Sequence, residues 1–313
     1  MKKTDVNYFP GFVRKAVCFS IDDGNLTWDK KFIDTVKPYG LKGTFNLCSD
    51  RIDPAKAQFY RDFYEGYEIA NHVKYHPRAI NPAEYKPFTG EKFPDNPDDR
   101  DPEKLYDYGT EEGMYWAYYP GVKGFRPGAD EDSYIRFVKD CKKELEAVFG
   151  EGSVRGFVWP YAEQDSDKVK DYLFNHSGYD SVRIAGGGLG VCDFRMPDNR
   201  MKWDYHSIHN RLDTVGDAFE KLEPDYLAFF AIGVHSVDYE NAGKWDSLAE
   251  TAKRFSDRTK YYTAGVSDLF AYEDAVKGVV ITETEISNPS AIDLYITVDG
   301  EKTVLPAGGK IAL

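Results

Sequence analysis

The stretch AVCFSIDDG, residues 16–24, is an almost unbroken apolar run that stops at two acids and a glycine. A short continuous run of this kind, closed by a turn signal, reads as a strand buried on both faces. Outward from it, WDKKFIDTVKPYG (28–40) reads as a helix ended by Gly40 and KGTFNLC (42–48) as a second strand. PAKAQFYRDFYEG (54–66) reads as a second helix, again stopped by glycine, and YEIANH (67–72) as a third strand. Alternation with so short a period implies parallel strands joined by crossover helices. The expected class is therefore α/β, closing as a βα barrel.

The alternation resumes later in the chain. Ser133 is placed to cap a helix whose apolar residues Ile135, Val138, Cys141, Leu145 and Val148 recur at spacings of three and four. VRGFVWPY (154–161), DSVRIAG (180–186) and DYLAFFAIGVH (225–235) read as strands, the last ending in His235. Helices are expected over 165–178, 211–222 and 244–257, and a strand then a helix over 260–276. Residues 77–131 interrupt the pattern and are too many for an ordinary connection. They read as an insertion over one barrel face. Their aromatics (Tyr115, Trp116, Tyr118, Tyr119) speak against a disordered linker. Residues 278–313 hold strand patterns with turn signals at Asn288-Pro289, Asp299-Gly300 and Gly308-Gly309. The expected organisation is a barrel over 1–277 with the insertion at about 77–131, followed by a β extension over 278–313.

Bulk properties bound the function. The net charge of −13 lacks the basic surface a nucleic-acid binder needs, and it suits an anionic membrane poorly. No apolar run is long enough to span a bilayer, and MKKTDVNYFPGF (1–12) has no apolar stretch after its lysines. A cytoplasmic protein is the expectation, or a secreted one if a leader has been removed. The four cysteines (Cys18, Cys48, Cys141, Cys192) form no CxxC pair and read as buried thiols. Aromatics reach 15% of the chain, a stock that suits a sugar-binding cleft.

In parallel βα folds the chemistry lies at the C-terminal ends of the strands. Those ends here carry Asp22-Asp23-Gly24, His72 through His76, Trp159-Pro160-Tyr161, and His235. His72 and His76 are four apart, a spacing that puts both rings on one face of a helical turn ended by Pro77. Two imidazoles and one carboxylate leave positions open for water and substrate, as a hydrolytic metal requires. Asp23 is the natural third ligand. Asp22, its neighbour, then serves as a general base for the bound water. Such a set admits a divalent ion, Zn first, with Co, Ni or Fe as alternatives.

The joint pattern resembles the polysaccharide deacetylase family, also called NodB-homology or carbohydrate esterase family 4. Ser20-Ile21-Asp22-Asp23-Gly24 is similar to the family's T-F-D-D-G, and Gly43-Thr44-Phe45-Asn46 to the strand that follows it. Glu68 through Pro77, EIANHVKYHP, matches its H-[ST]-x-x-H motif and the E-I-x-N before it. The resemblance implies a distorted, (β/α)7-like barrel of NodB type. It also implies that Asp22 is the base and that Asp23, His72 and His76 hold the metal. The third motif, R-x-P-Y-G, is altered to Val158-Trp159-Pro160-Tyr161-Ala162. Tyr161 maps to the family's oxyanion donor through its backbone N–H. The family's Arg is missing at Val158, and Arg183, at a later strand end, is the candidate substitute. His235 in Ala231-Ile232-Gly233-Val234-His235 matches the histidine that acts as general acid. For the fourth motif's Asp, Asp193 and the pair Trp203-Asp204 both stand open.

The implied activity is metal-dependent removal of N- or O-linked acetyl groups from a carbohydrate substrate. An amidase acting on a non-sugar substrate, an inactive carbohydrate-binding protein, and a two-carboxylate glycosidase are the alternatives. His176, His206 and His209 have no motif and read as structural, His176 as a partner of a helix C-terminus.

Overall fold

The computed structural model describes residues 3–79, 128–129, 131–162, 166–184 and 186–313. The expected insertion lies almost wholly outside the described residues, and so do its four aromatics. In chain order the elements are β1 (Thr4–Tyr8), β2 (Lys15–Asp23), α1 (Leu26–Val36), β3 (Gly43–Leu47), α2 (Ala57–Phe63), β4 (Glu68–Asn71), β5 (Arg78–Ala79), β6 (Gly128–Ala129), α3 (Glu131–Phe149), β7 (Val154–Val158), α4 (Asp167–Asp171) and β8 (Ser181–Arg183). Then come α5 (Leu212–Lys221), β9 (Ala228–His235), α6 (Ser236–Asn241), α7 (Trp245–Arg254), β10 (Tyr261–Tyr262), α8 (Val266–Lys277), β11 (Val280–Ile281), β12 (Glu285–Ser287), β13 (Leu294–Val298), β14 (Glu301–Leu305) and β15 (Lys310–Ala312). This is the α/β class read from the sequence, with an all-β C-terminal stretch. Among the described residues no helix is long and apolar enough to cross a membrane.

The chain forms two compact units. One comprises Met1–Phe45, Phe63–Glu68 and Gly187–Leu313, the other Asn46–Asp62 and Ile69–Gly186. In the first, β2 runs parallel to β9 over its whole length and to β10 at its start. Seven consecutive β2 residues, Ala16–Asp22, are buried, which is why the strand reads as a continuous apolar run. Phe19, Phe32, Phe45 and Tyr64 interlock edge to face or tilted on one part of this core. Phe194, Phe219, Phe230 and Phe255 do so on another. Gly43 opens β3 where any Cβ would lie 2.5 Å from the Phe19 carbonyl oxygen, so only glycine lets the backbone in. Glu68, at the head of β4, accepts from Ser267 N (2.9 Å) and Oγ (2.5 Å), placing a carboxylate on the first turn of α8.

The C-terminal strands make two small antiparallel sheets, β1-β13-β14 and β11-β12-β15. The first draws in β1, which carried no strand signal of its own. Tyr272 of α8 fastens it, donating to Tyr8 O (2.6 Å) and accepting from Tyr295 N (3.2 Å).

In the second unit β4, β7 and β8 run parallel. Helix α3 buries Tyr134, Phe137, Val138, Cys141, Leu145 and Val148. It begins at Glu131, before Ser133, and Ile135 lies at the margin of the stripe, not within it. The helix expected over 165–178 shortens to α4 followed by a wider π turn, Tyr172–His176. His176 ends that turn, exposed, 3.4 Å from Asp171. No cysteine forms a disulfide, and Cys18, Cys48 and Cys141 are buried as expected. Cys192 is exposed, because it lies in an irregular segment after the glycine-rich stretch and not in a strand.

Candidate active site

The first unit brings Asp22, Asp23 and His235 together. Parallel register pairs Asp22 with His235 as the last rungs of the β2–β9 ladder. Neighbouring strands fix such residues about 4.8 Å apart at the backbone, with side chains on the same face. Asp22 is buried, and Asp23 leaves the strand with φ 82, so the two adjacent acids diverge. Gly233 lets the Tyr205 ring lie against β9, since a Cβ there would be 2.0 Å from the ring.

His235 has a partner that the sequence reading missed. Asp238 Oδ2 accepts from both His235 Nδ1 (2.9 Å) and the His235 backbone N–H (3.2 Å). Burial disfavours the imidazolium. The Asp238 hydrogen bond and the charges of Asp22 and Asp23 outweigh it and push the His235 pKa up to about 9. Burial acts against the Asp238 carboxylate too, yet the His235 bond holds its pKa below the ordinary value. An acid three residues past a helix N-cap was the available signal, and it is common to many helix starts.

The second unit brings together His72, His76 and Tyr161. The His72–His76 segment is not helical, contrary to the expectation from spacing. Val73, Tyr75 and His76 all have positive φ (63, 70 and 52), and the chain turns tightly back on itself. Such conformations cost roughly 1–3 kcal/mol each and persist only where surroundings enforce them. Here Asn71 Oδ1 accepts from Val73 N (2.8 Å), Asp50 Oδ1 from Tyr75 N (2.7 Å), and Lys74 pairs with Glu144 at 2.7 Å. Asn71 is itself anchored, donating to Val138 O at 2.8 Å and bonded to the Tyr179 hydroxyl at 2.6 Å.

The turn achieves by another route what a helix would have done. Both imidazoles are buried, with His72 Nε2 and His76 Nε2 3.0 Å apart. His72 Nδ1 lies 3.0 Å from Val158 O, which can only accept. Nδ1 therefore carries the proton and Nε2 presents its lone pair, the arrangement of a metal-ligating histidine. Tyr161 lies with its ring 4.7 Å from that of His76, in a left-handed conformation (φ 58). Arg183, wholly buried on β8, is the register partner of Val158, the position where the resemblance lacks its Arg.

The remaining candidates divide clearly. Asp193 sits in an exposed ion pair with Arg195. Trp203 is buried against Phe229 and Phe270, and Asp204 accepts from Gly188 N at 3.3 Å. His206 is buried, its Nδ1 accepting from Ala231 N (3.1 Å), and burial lowers its pKa to about 4, so it is a neutral structural group. His209 packs its ring 6.1 Å from Tyr239.

Comparison with known proteins agrees with the motifs. The family model described as polysaccharide deacetylase matches residues 11–179, more than half of the chain. That match spans Asp22, Asp23, His72, His76 and Tyr161 and ends before Arg183 and His235. Among curated proteins none matches. Similar solved structures include the peptidoglycan deacetylase PdaC from Bacillus subtilis, at 15% identity and TM-score 0.46, covering 84% of this chain and 92% of that one. A family 4 acetyl xylan esterase from Clostridium thermocellum, in complex with a cobalt ion, is 16% identical with TM-score 0.45, covering 83% and 92%. A CE4 esterase from Streptococcus mutans is 14% identical with TM-score 0.48, covering 80% and 86%. The family match, with the motifs it spans, shows that the chain belongs to the polysaccharide deacetylase family and has that family's distorted βα barrel fold.

Proposed function

We propose that this protein is a metal-dependent deacetylase that removes acetyl groups from a carbohydrate. The observation that carries the reading is the His72–His76 pair: two buried Nε2 atoms 3.0 Å apart, one with its other nitrogen bonded to a backbone carbonyl, in a chain of this family. The family's first motif adds Asp23 as the third donor, a His2Asp set whose chemistry fits a divalent ion, Zn first and Co, Ni or Fe next. When bound, such an ion supplies Lewis acidity, lowering the pKa of water and polarising an acyl oxygen.

The residues of the chain do the rest. Asp22, ionised, takes a proton from the attacking water at its carboxylate. The Tyr161 backbone N–H meets the negative charge that develops on the acyl oxygen. His235 hands a proton to the departing amine or alcohol. Arg183, next to Val158 in register, supplies from β8 the positive charge that the third motif lacks on β7.

The test is acetate release from a panel of acetylated sugars and peptidoglycan fragments, by protein reloaded with Zn or Co beside chelated protein. Metal-dependent release is expected. No release from any member by protein shown to hold metal would overturn the carbohydrate substrate, and release that survives chelation would overturn the metal.

A further inference from the structure

In this chain the carboxylate that engages His235 comes from the same segment, three residues on. A single Asp238 oxygen accepts from the ring Nδ1 at 2.9 Å and from the His235 backbone N–H at 3.2 Å. Tying the ring and its own backbone to one atom fixes the side-chain rotation. An acceptor at Nδ1 also fixes the tautomer, because Nδ1 must then carry a proton. Asp238 stands in the first turn of α6, where the helix N-terminus favours a negative charge.

The junction is held from the other side as well. Ser236 Oγ donates to Asp29 Oδ1 at 2.6 Å, and the same wholly buried carboxylate accepts from the Tyr64 hydroxyl at 2.8 Å. The charged groups that act on His235 are Asp22 and Asp23 from β2 and Asp238 from α6, with His209 acting on Asp238.

We propose that Asp238 is the positioning residue of His235, fixing it as the Nδ1–H form so that Nε2 is the atom that hands over the proton. This rests on the reading of His235 as general acid given above. An ordinary first-turn acid would stabilise α6 and nothing more.

The experiment compares wild type with Asp238→Asn and Asp238→Glu, each zinc-loaded. Nitrogen-15 NMR of the His235 ring reads protonation and tautomer without any substrate, and kinetics follow on whichever acetylated compound the panel identifies. In Asp238→Asn we expect His235 to lose its proton at lower pH and to show mixed tautomers. We also expect kcat to fall about 100-fold or more, with KM within about twofold. Asp238→Glu should recover part of the loss. A folded Asp238→Asn protein with unchanged ring signals and unchanged kcat would overturn the proposal and leave Asp238 a helix cap. Undiminished activity in His235→Ala would instead overturn the general-acid reading, a failure distinguishable because the NMR does not depend on it.

Discussion

His235 keeps its proton into the alkaline range because three carboxylates outweigh the cost of burying the imidazolium. The sign of the consequence follows from the direction of the shift. The protonated form is the working one for a general acid, so the alkaline limb of kcat/KM should lie above the range of an ordinary histidine. An ordinary histidine would give a decline from about 6.5. The same raised pKa adds stability that is complete below about 6.5 and is lost as pH rises through 9. A pH series of kcat/KM on an acetylated substrate checks the first statement, and a limb near 6.5 would contradict it. At this scale the sequence was most legible. What was legible is position: Asp22 and His235 close the β2–β9 ladder, and His72 follows the end of β4, as the strand readings placed them. Asp238 was not legible, because an acid three residues after a cap serves any helix equally well.

Among the elements, strands such as β2 and β9 were readable because burial on both faces demands continuous apolar runs. The turn at 72–76 was misread for a physical reason. A spacing of four matches the helical period, and nothing in Val73 or Tyr75 advertises a left-handed backbone; surroundings impose it. Asn71 is one of the groups that impose it, accepting from Val73 N while two further hydrogen bonds fix its own buried side chain. Asn71→Ala leaves buried groups unsatisfied at about 1–3 kcal/mol each. We expect a loss of roughly 2–4 kcal/mol in urea unfolding, together with at least tenfold weaker zinc binding by competition titration. Full zinc affinity in that variant would show that the turn does not depend on its anchor.

For the molecule as a whole, a cation held only by the folded chain stabilises it by mass action, by about 2.7 kcal/mol when the ion is at 100 times its Kd. Chelation should therefore lower Tm in wild type and leave His76→Ala unmoved, as read by calorimetry. A wild-type Tm indifferent to chelator would count against the donor set. The division into two units was invisible in the sequence because it cuts through single elements, falling inside β3 between Phe45 and Asn46. Contact boundaries of this kind carry no punctuation of glycine or proline.

Strand β1 has its ladder partner in β13, and Lys3 and Asp299 exchange two hydrogen bonds of 2.8 Å at the end of that ladder. On the ribosome those residues emerge far apart in time. At 5–20 residues per second the first strand waits roughly 15 to 60 seconds for its neighbour to be made. During that interval its backbone edge is open to any other extended chain, including a second nascent copy. This protein thus carries a built-in period of vulnerability, one that closes only when β13 has been made.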